Sequence, residues 1–240
     1  MAKGLFIIGT DTGVGKTVVS AGLMYLLLKE NYTAGYFKPI ASGEIELESR
    51  FVPADARFVK TTSGYTEEDE TITPVSFRPA VSPHLAAKKE NRTIDFEGIR
   101  DMLRILKQKY EFILIEGCGG LAVPLTDQGY MLYHFIQELG LDCLLISRAG
   151  LGAINHTLLT LQFAENLGIN VAGVFMNGYG GTEIERDNLD TLRKFTRHPF
   201  IVPVSNLEGI DVENLKIGNI KECFESQIDI HRIAGLMKPF

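Results

Sequence analysis

The chain has 240 residues, a formal net charge of −6, 45 % hydrophobic and 22 % charged residues. That length fits one large domain, 1–240, with room for a substantial core, and an acidic balance without any basic run argues against nucleic acid as the main partner. The three cysteines, Cys118, Cys143 and Cys223, form no CxxC pair and are odd in number, which points to a reducing, cytoplasmic setting and to core or near-core thiols rather than a disulfide framework. The first apolar run, Leu5–Ile8, is too short for a signal-peptide core, and no stretch approaches a membrane span, so no membrane partner is expected.

Short apolar runs alternate with helical patterns along the chain. Leu5–Ile8 reads as a buried strand, and Thr17–Lys29, with Val18, Ala21, Leu23, Met24 and Leu27, as a helix. A strand is expected over Thr33–Lys38, stopped by Pro39. The stretch from Ala41 to Val81 is the least regular, an active-site lid or a surface excursion. A helical face follows over Asp95–Lys109, then a strand over Phe112–Ile115, a helix over Leu132–Leu139 and a strand over Cys143–Ile146. Ile154–Leu167 is helical, Val171–Met176 a strand, Ile184–Phe195 helical, and Phe200–Val204 the last clear strand. Strands apolar at every position and separated by helices imply a mostly parallel sheet covered on both faces. The class is therefore α/β, doubly wound, and ligands in such sheets gather beyond the carboxyl ends of the strands.

The polar clusters fall at those ends. Gly9-Thr10-Asp11-Thr12-Gly13-Val14-Gly15-Lys16-Thr17 follows the first strand and opens the first helix, the context of a P-loop. Its glycines let backbone N–H groups curl around phosphate oxygens at a helix N-terminus. Lys16 can reach the β- and γ-phosphates, and the Thr17 hydroxyl can face Mg²⁺. Val14 and Val18 flank the turn. The loop is a variant: the strict pattern has glycine where Thr10 stands, and Gly9 lies one residue earlier. Lys38 ends the second strand, where a second cation would suit a transferring phosphoryl group, although a lysine before proline is commonly a surface residue. Ser42 offers a hydroxyl nearby. Asp55, after Pro53, reads on its own as a helix-start residue, and beside the P-loop it could join Thr17 and Glu116 around Mg²⁺. Glu116 ends the strand Phe112–Ile115 in the position of an acid that helps hold Mg²⁺, and Gly117-Cys118-Gly119-Gly120 permits close backbone approach to a ligand.

This set resembles the dethiobiotin synthetases, ATP-dependent enzymes on the P-loop NTPase fold. The likeness rests on the loop at 9–17, Lys-Pro-Ile-Ala-Ser-Gly at 38–43, Ala-Asp-Ala at 54–56, Ser82-Pro83-His84, Glu-Gly-x-Gly-Gly at 116–120 and Gly-x-Ile-Asn-His at 152–156. It implies that a diamine, 7,8-diaminopelargonate, takes up carbon dioxide, that ATP phosphorylates the carbamate, and that the second amine closes the ring. By position, Lys16 and Lys38 would be catalytic, and Thr17, Asp55 and Glu116 would hold Mg²⁺. The ATP contacts would come from Gly13 to Val18, Asp55, Glu116 to Gly119, Asn177, and Pro203, Val204 and Ser205. Ser42, Gly152 and Asn155 would bind the substrate, the last two reaching its carboxylate from the partner subunit of a homodimer. The Gly150–Asn155 turn reads equally as plain helix capping. His84 and His156 are expected to make structural hydrogen bonds. Gly13 and Asn188 depart from the family, which often carries an acid and a tyrosine there. The alternative is a nucleotide-switch ATPase of the partitioning or division-site type, for which the tail Ile228–Phe240 is short and sparsely basic.

Overall fold

The computed structural model describes residues 1–196 and 200–240. Strand β1 (Lys3–Gly9) leads through the glycine loop into α1 (Lys16–Lys29) and β2 (Ala34–Phe37). An excursion follows: β3 (Ile40–Ser42), the hairpin β4 (Glu44–Leu47) and β5 (Arg50–Pro53), α2 (Ala54–Ser63), α3 (Asp69–Ile72), β6 (Val75–Phe77) and α4 (Pro83–Lys89). The regular alternation then resumes with α5 (Phe96–Lys109), β7 (Phe112–Gly120), α6 (Leu132–Leu139), β8 (Cys143–Arg148), α7 (Ala153–Asn166), β9 (Val171–Tyr179), α8 (Glu183–Phe195) and β10 (Ile201–Ser205). The chain finishes with β11 (Ile210–Asp211), β12 (Lys216–Ile217), α9 (Ile220–Gln227), α10 (Ile230–Leu236) and β13 (Lys238–Pro239).

The main sheet runs β10-β9-β8-β1-β7-β2, all parallel, with β13 added antiparallel to the start of β1. Both faces of β1 are dry: Phe6 and Ile8 pack under α5, α6 and α7, whereas Leu5 and Ile7 pack under α1, α2, α9 and α10. A strand buried on both sides must be apolar at successive positions, and that is why it reads as a continuous run. From β1 the chain moves outward to β2, returns between them as β7, and then crosses to β8 on the other flank. This reversal of order places a crevice at the carboxyl ends of β1, β7 and β8. Among the described residues, no helix is long and apolar enough to cross a membrane.

One expectation needs correction, and two stretches hold more than the sequence pattern shows. The strand expected to stop at Ile115 continues as β7 through Gly120, with Gly9 opposite Gly120 after an irregularity in the register. Glycines carry no strand pattern, yet their backbones pair as well as any. The stretch from Ala41 to Val81, the least regular in sequence, holds regular elements all the same: β3, β6, a hairpin and α2, with strands too short to show a period. The region after Glu208, where the sequence pattern marks no clear element, forms α9 and α10 and closes the α1 face.

Gly22 of α1 shows how tightly. A Cβ there would lie 2.5 Å from the Phe224 ring on α9. Gly22→Leu should therefore destabilise the protein by about 1–3 kcal/mol by overpacking, seen as a lowered chemical-denaturation midpoint. An unchanged midpoint would show that α9 does not depend on that contact.

Candidate active site

The loop after β1 is fixed before any ligand arrives. Gly13 and Gly15 adopt left-handed φ of 70° and 98°, and the Thr10 N–H donates to the Ile146 carbonyl of β8 at 2.9 Å. Thus Thr10, where the strict pattern has glycine, serves as the tether of the loop to the sheet. A Cβ on Gly15 would fall 2.0 Å from Asn177 Nδ2, so a side chain is excluded there by β9 as well as by φ. The Asn177 amide donates to the Val14 carbonyl at 3.0 Å. Lys16 folds back over the turn, Nζ donating to the Asp11 carbonyl at 3.0 Å. Burial, followed by the charge of Lys38, holds the Lys16 ammonium below its usual pKa.

A second cation lies beside it. Lys38, just past β2, is 3 % exposed and places Nζ 2.7 Å from Asp55 Oδ2, 2.7 Å from Glu116 Oε1 and 3.2 Å from the Gly117 carbonyl oxygen. Thr17 Oγ1 lies 2.9 Å from Asp55 Oδ1 and 2.8 Å from Glu116 Oε1, within donating reach of both. Four elements converge here: α1 brings Thr17, β2 Lys38, the first turn of α2 Asp55, and β7 Glu116. Glu116 is fully buried, and the Asp55 side chain is 26 % exposed. Burial alone would lower the Lys38 pKa, but the charges of Asp55 and Glu116 outweigh it and hold the group above its usual range. Asp55 is the mirror case: burial would raise its carboxyl, and the Lys38 charge and hydrogen bond bring it below the ordinary range.

The glycines of β7 also have positions that demand them. A Cβ on Gly117 would meet Leu132 and Phe6 at 3.0 Å, and Gly119 has a φ of 63° with Val123 2.8 Å from its would-be Cβ. Cys118 between them is half-buried; burial pushes its thiol up despite the nearby Lys38 and Lys16, which agrees with a packing residue rather than a nucleophile. Ser42 ends β3, and the next residue, Gly43, turns with a φ of 87°. Further along the sheet, Val204 of β10 lies opposite Asn177, with Pro203 and Ser205 on either side. The Val204 side chain is buried in the α1-side core. Gly152 caps α7 with a φ of 87°, and Asn155 is exposed.

Several residues shape the site through contacts that the sequence did not show. Tyr36 is fully buried, and its hydroxyl donates to Glu116 Oε2 at 2.8 Å; burial, then the Glu116 charge, keeps that hydroxyl protonated well above the usual range. Arg148 reaches across from β8 to donate to the Thr12 carbonyl at 3.3 Å, beside the bare Gly13. Asn188 donates at 2.9 Å to both the Ala149 and Gly150 carbonyls and so braces the turn before α7. Gln227 of α9 pairs with the backbone and hydroxyl of Ser205. In each case the signal is a polar side-chain atom meeting a group far away in sequence, which no local pattern carries. The hydrogen bonds expected of His84 and His156 are absent among the described residues. His84 Nδ1 is buried without a partner, and the His156 ring is exposed with none.

Comparison with known proteins adds an independent line. A family model described as an AAA domain matches residues 3–214. The chain is 40 % identical over 237 residues to an ATP-dependent dethiobiotin synthetase of Clostridium kluyveri, covering 96 % of this chain and 98 % of that one. A protein of the same name from Clostridium novyi is 42 % identical over 229 residues, with 94 % of each chain covered. The chain belongs to the dethiobiotin synthetase family. Its fold is shared more widely. The MinC:MinD cell division complex of Aquifex aeolicus matches with a TM-score of 0.59 at 12 % identity, over 100 % of this chain and 98 % of that one. A putative plasmid partition protein of Borrelia burgdorferi matches with a TM-score of 0.56 at 14 % identity, over 98 % of both chains. Those likenesses are of fold alone, so the switch-ATPase alternative finds no support in sequence, and the synthetase reading does.

The pairing of Asp55 sets an acid limit on stability. A carboxyl whose pKa is lowered on folding stabilises the fold above the unfolded value, about 3.9, and that contribution fades as pH falls through the folded value. The melting-temperature gap between the parent and Asp55→Asn should therefore be widest near neutrality and narrow towards about pH 3. A gap constant from pH 7 to 3 would mean that the Asp55 charge does not stabilise this synthetase.

Proposed function

We propose that this protein converts 7,8-diaminopelargonate, carbon dioxide and ATP to dethiobiotin, ADP and phosphate, as an ATP-dependent, carbon–nitrogen bond-forming cyclo-ligase of its family. The observation that carries this reading is the convergence of Thr17, Lys38, Asp55 and Glu116 beside the loop that holds Lys16. One amine nitrogen attacks carbon dioxide and gives up a proton, forming a carbamate. A carbamate oxygen takes the γ-phosphoryl group as ADP leaves, and the second amine attacks the activated carbonyl carbon and expels phosphate. The sequence of steps needs no covalent protein intermediate. It needs alignment of two anions and neutralisation of the charge between them. Lys16 is placed for the β- and γ-phosphates, and Lys38 for the carbamate and the transferring group. The backbone amides of Gly13 to Thr17 supply the phosphate cradle, with Val18 behind them. Ser42 would contact the amine or carbamate end.

The same donor set suits Mg²⁺. Two carboxylates already meet a cationic group, the Lys38 ammonium, and the Thr17 hydroxyl lies within hydrogen-bond distance of both carboxylates. No cluster of three or more His, Cys, Asp or Glu able to hold a metal occurs among the described residues. That set is too sparse for a fully protein-ligated ion and matches one that keeps phosphate and water ligands. We assign Thr17, Asp55 and Glu116 to it; such an ion would offset negative charge on the phosphates. Asn177 uses its amide N–H on Val14, which leaves its carbonyl to accept from an exocyclic amine such as that of adenine. Gly117, Cys118, Gly119, Pro203, Val204 and Ser205 would complete the nucleotide contacts, Val204 through its backbone.

We further read 1–240 as one cytoplasmic domain that works as a homodimer. The support is an apolar line on and before α7: Leu151 is 94 % exposed, Leu159 62 % and Phe163 37 %, at four-residue intervals around Asn155. Pairing that face would bring the Gly152 turn and Asn155 to the partner's crevice, where they would meet the substrate carboxylate. Leu159→Glu should then yield monomers in sedimentation and lose most activity; a dimer of full activity would remove this face from any role in assembly.

With diaminopelargonate, bicarbonate, Mg²⁺ and ATP, the purified protein should form the ring-closed product and release phosphate, and omission of the diamine should stop both. Absence of ring closure under those conditions would sink the reading. Lys38→Ala should lower kcat by about 100-fold or more while changing ATP affinity about threefold at most, because its role lies in the transition state. The same change strands two buried carboxylates, at a cost of about 3–5 kcal/mol, so both constants are measured well below its melting temperature. Equal losses of affinity and turnover would contradict this role.

A further inference from the structure

Glu116 is gripped from two sides by one strand. Tyr36 of β2 is in register with Leu114 of β7, so Tyr36 and Glu116 project from the same face of the sheet. Lys38 stands two residues beyond Tyr36, level with Glu116. The consequence is a division of the carboxylate: Tyr36 donates to Oε2 at 2.8 Å, while Lys38 and Thr17 approach Oε1 at 2.7 and 2.8 Å. Among the described residues, Oε2 has no other hydrogen-bond partner.

The proposed reaction pulls this arrangement apart on one side only. Lys38 cannot serve the carbamate and the transferring phosphoryl group while its ammonium sits 2.7 Å from both Asp55 and Glu116. Nor can those carboxylates receive a metal ion while the ammonium stands between them. Once Lys38 turns to the substrate, Glu116 has lost its strongest fixed partner. A buried carboxylate with one free oxygen can rotate about its last torsion, and a rotation would carry Oε1 away from Thr17. The Tyr36 hydroxyl is not asked to do anything else. Its ring is packed in the α1-side core with Leu114, and its hydroxyl meets Glu116 alone among the described residues.

We infer that Tyr36 is a positioning residue for the metal site: its hydroxyl pins Glu116 Oε2 and so keeps Oε1 aimed at Thr17 after Lys38 has left. Partners of this kind, one step removed from a metal, typically affect its affinity by about 10–100-fold. The role lies in the hydroxyl alone, since a phenylalanine ring would fill the same core space. This inference rests on the nucleotide–magnesium reading of the site, and the test separates the two.

ADP binding to the full-length protein is measured by calorimetry across a Mg²⁺ series and in EDTA, for the parent and Tyr36→Phe. The parent is expected to bind ADP more tightly as Mg²⁺ rises. In Y36F the Mg²⁺ concentration giving half of that tightening should rise by about tenfold or more, with ADP affinity in EDTA unchanged within about twofold. A variant that follows the parent's Mg²⁺ curve overturns the inference and leaves Tyr36 a core residue only. A parent that does not respond to Mg²⁺ overturns the metal reading itself, and the inference with it. If Y36F does not fold, a crystal structure of the parent with Mn²⁺ and ADP decides. Lys38 Nζ should be off both carboxylates with the Tyr36–Glu116 hydrogen bond kept. Loss of that bond, or Lys38 still held by both acids, overturns the proposal.

Discussion

Everything at the centre of this protein is arranged around one buried ammonium. Lys38 lies almost out of water between Asp55 and Glu116, and such a charge is tolerated only because opposite charges and a carbonyl meet it at hydrogen-bond distance. That requirement ties together parts of the chain far apart in sequence. β2 must end where it does, β7 must run beside it in register, and α2 must begin with its first turn facing α1. The order reversal of the sheet supplies the crevice, and the left-handed glycines of the loop bring Lys16 and Thr17 to its edge. A site balanced in this way holds as many positive as negative groups among Lys16, Lys38, Asp55 and Glu116, so it stays stable while poised.

The same fold occurs in proteins named for cell division and plasmid partition, at 12–14 % identity. One fold can thus host several uses and does not choose among them. In this chain we assign the choice to the residues beyond β2 and at the end of β7: Lys38, Ser42, the early turn of α2 and the glycine run after Glu116. The likeness to the synthetases, in contrast to the likeness of fold, extends to sequence over nearly the full length of the chain.

Much of this was legible in the sequence because strong local physics wrote it. Strands buried on both faces must be apolar throughout, so β1, β2, β7, β8 and β9 stand out. Glycines before a lysine and a threonine mark a phosphate loop. Lys38 and Glu116 could be placed because both follow an apolar strand. The rest was hidden for physical reasons. Tyr36 sits within an apolar run, and its ring explains its presence there; nothing local reveals that its hydroxyl grips a residue 80 positions away. Asn188 and Gln227 act through single amides on distant backbone groups. The strands of the excursion between β2 and α5 have three or four residues each, below the length at which periodicity can be seen. Two conspicuous histidines misled in the opposite sense, since a polar ring in a motif suggests a hydrogen bond that neither His84 nor His156 makes here.

If these charges direct phosphoryl transfer to a carbamate oxygen, oxygen itself can report on it. The protein is mixed with ATP, the diamine and carbon dioxide labelled with oxygen-18, and the phosphate released in the first turnovers is analysed by mass. When a carbamate oxygen attacks the γ-phosphorus and the second amine then expels phosphate, each phosphate leaves with one labelled oxygen, and that is the expected result. Ring closure accompanied by unlabelled phosphate would mean that ATP is split before the carbamate is engaged, and the role given to Lys38 between Asp55 and Glu116 would be wrong.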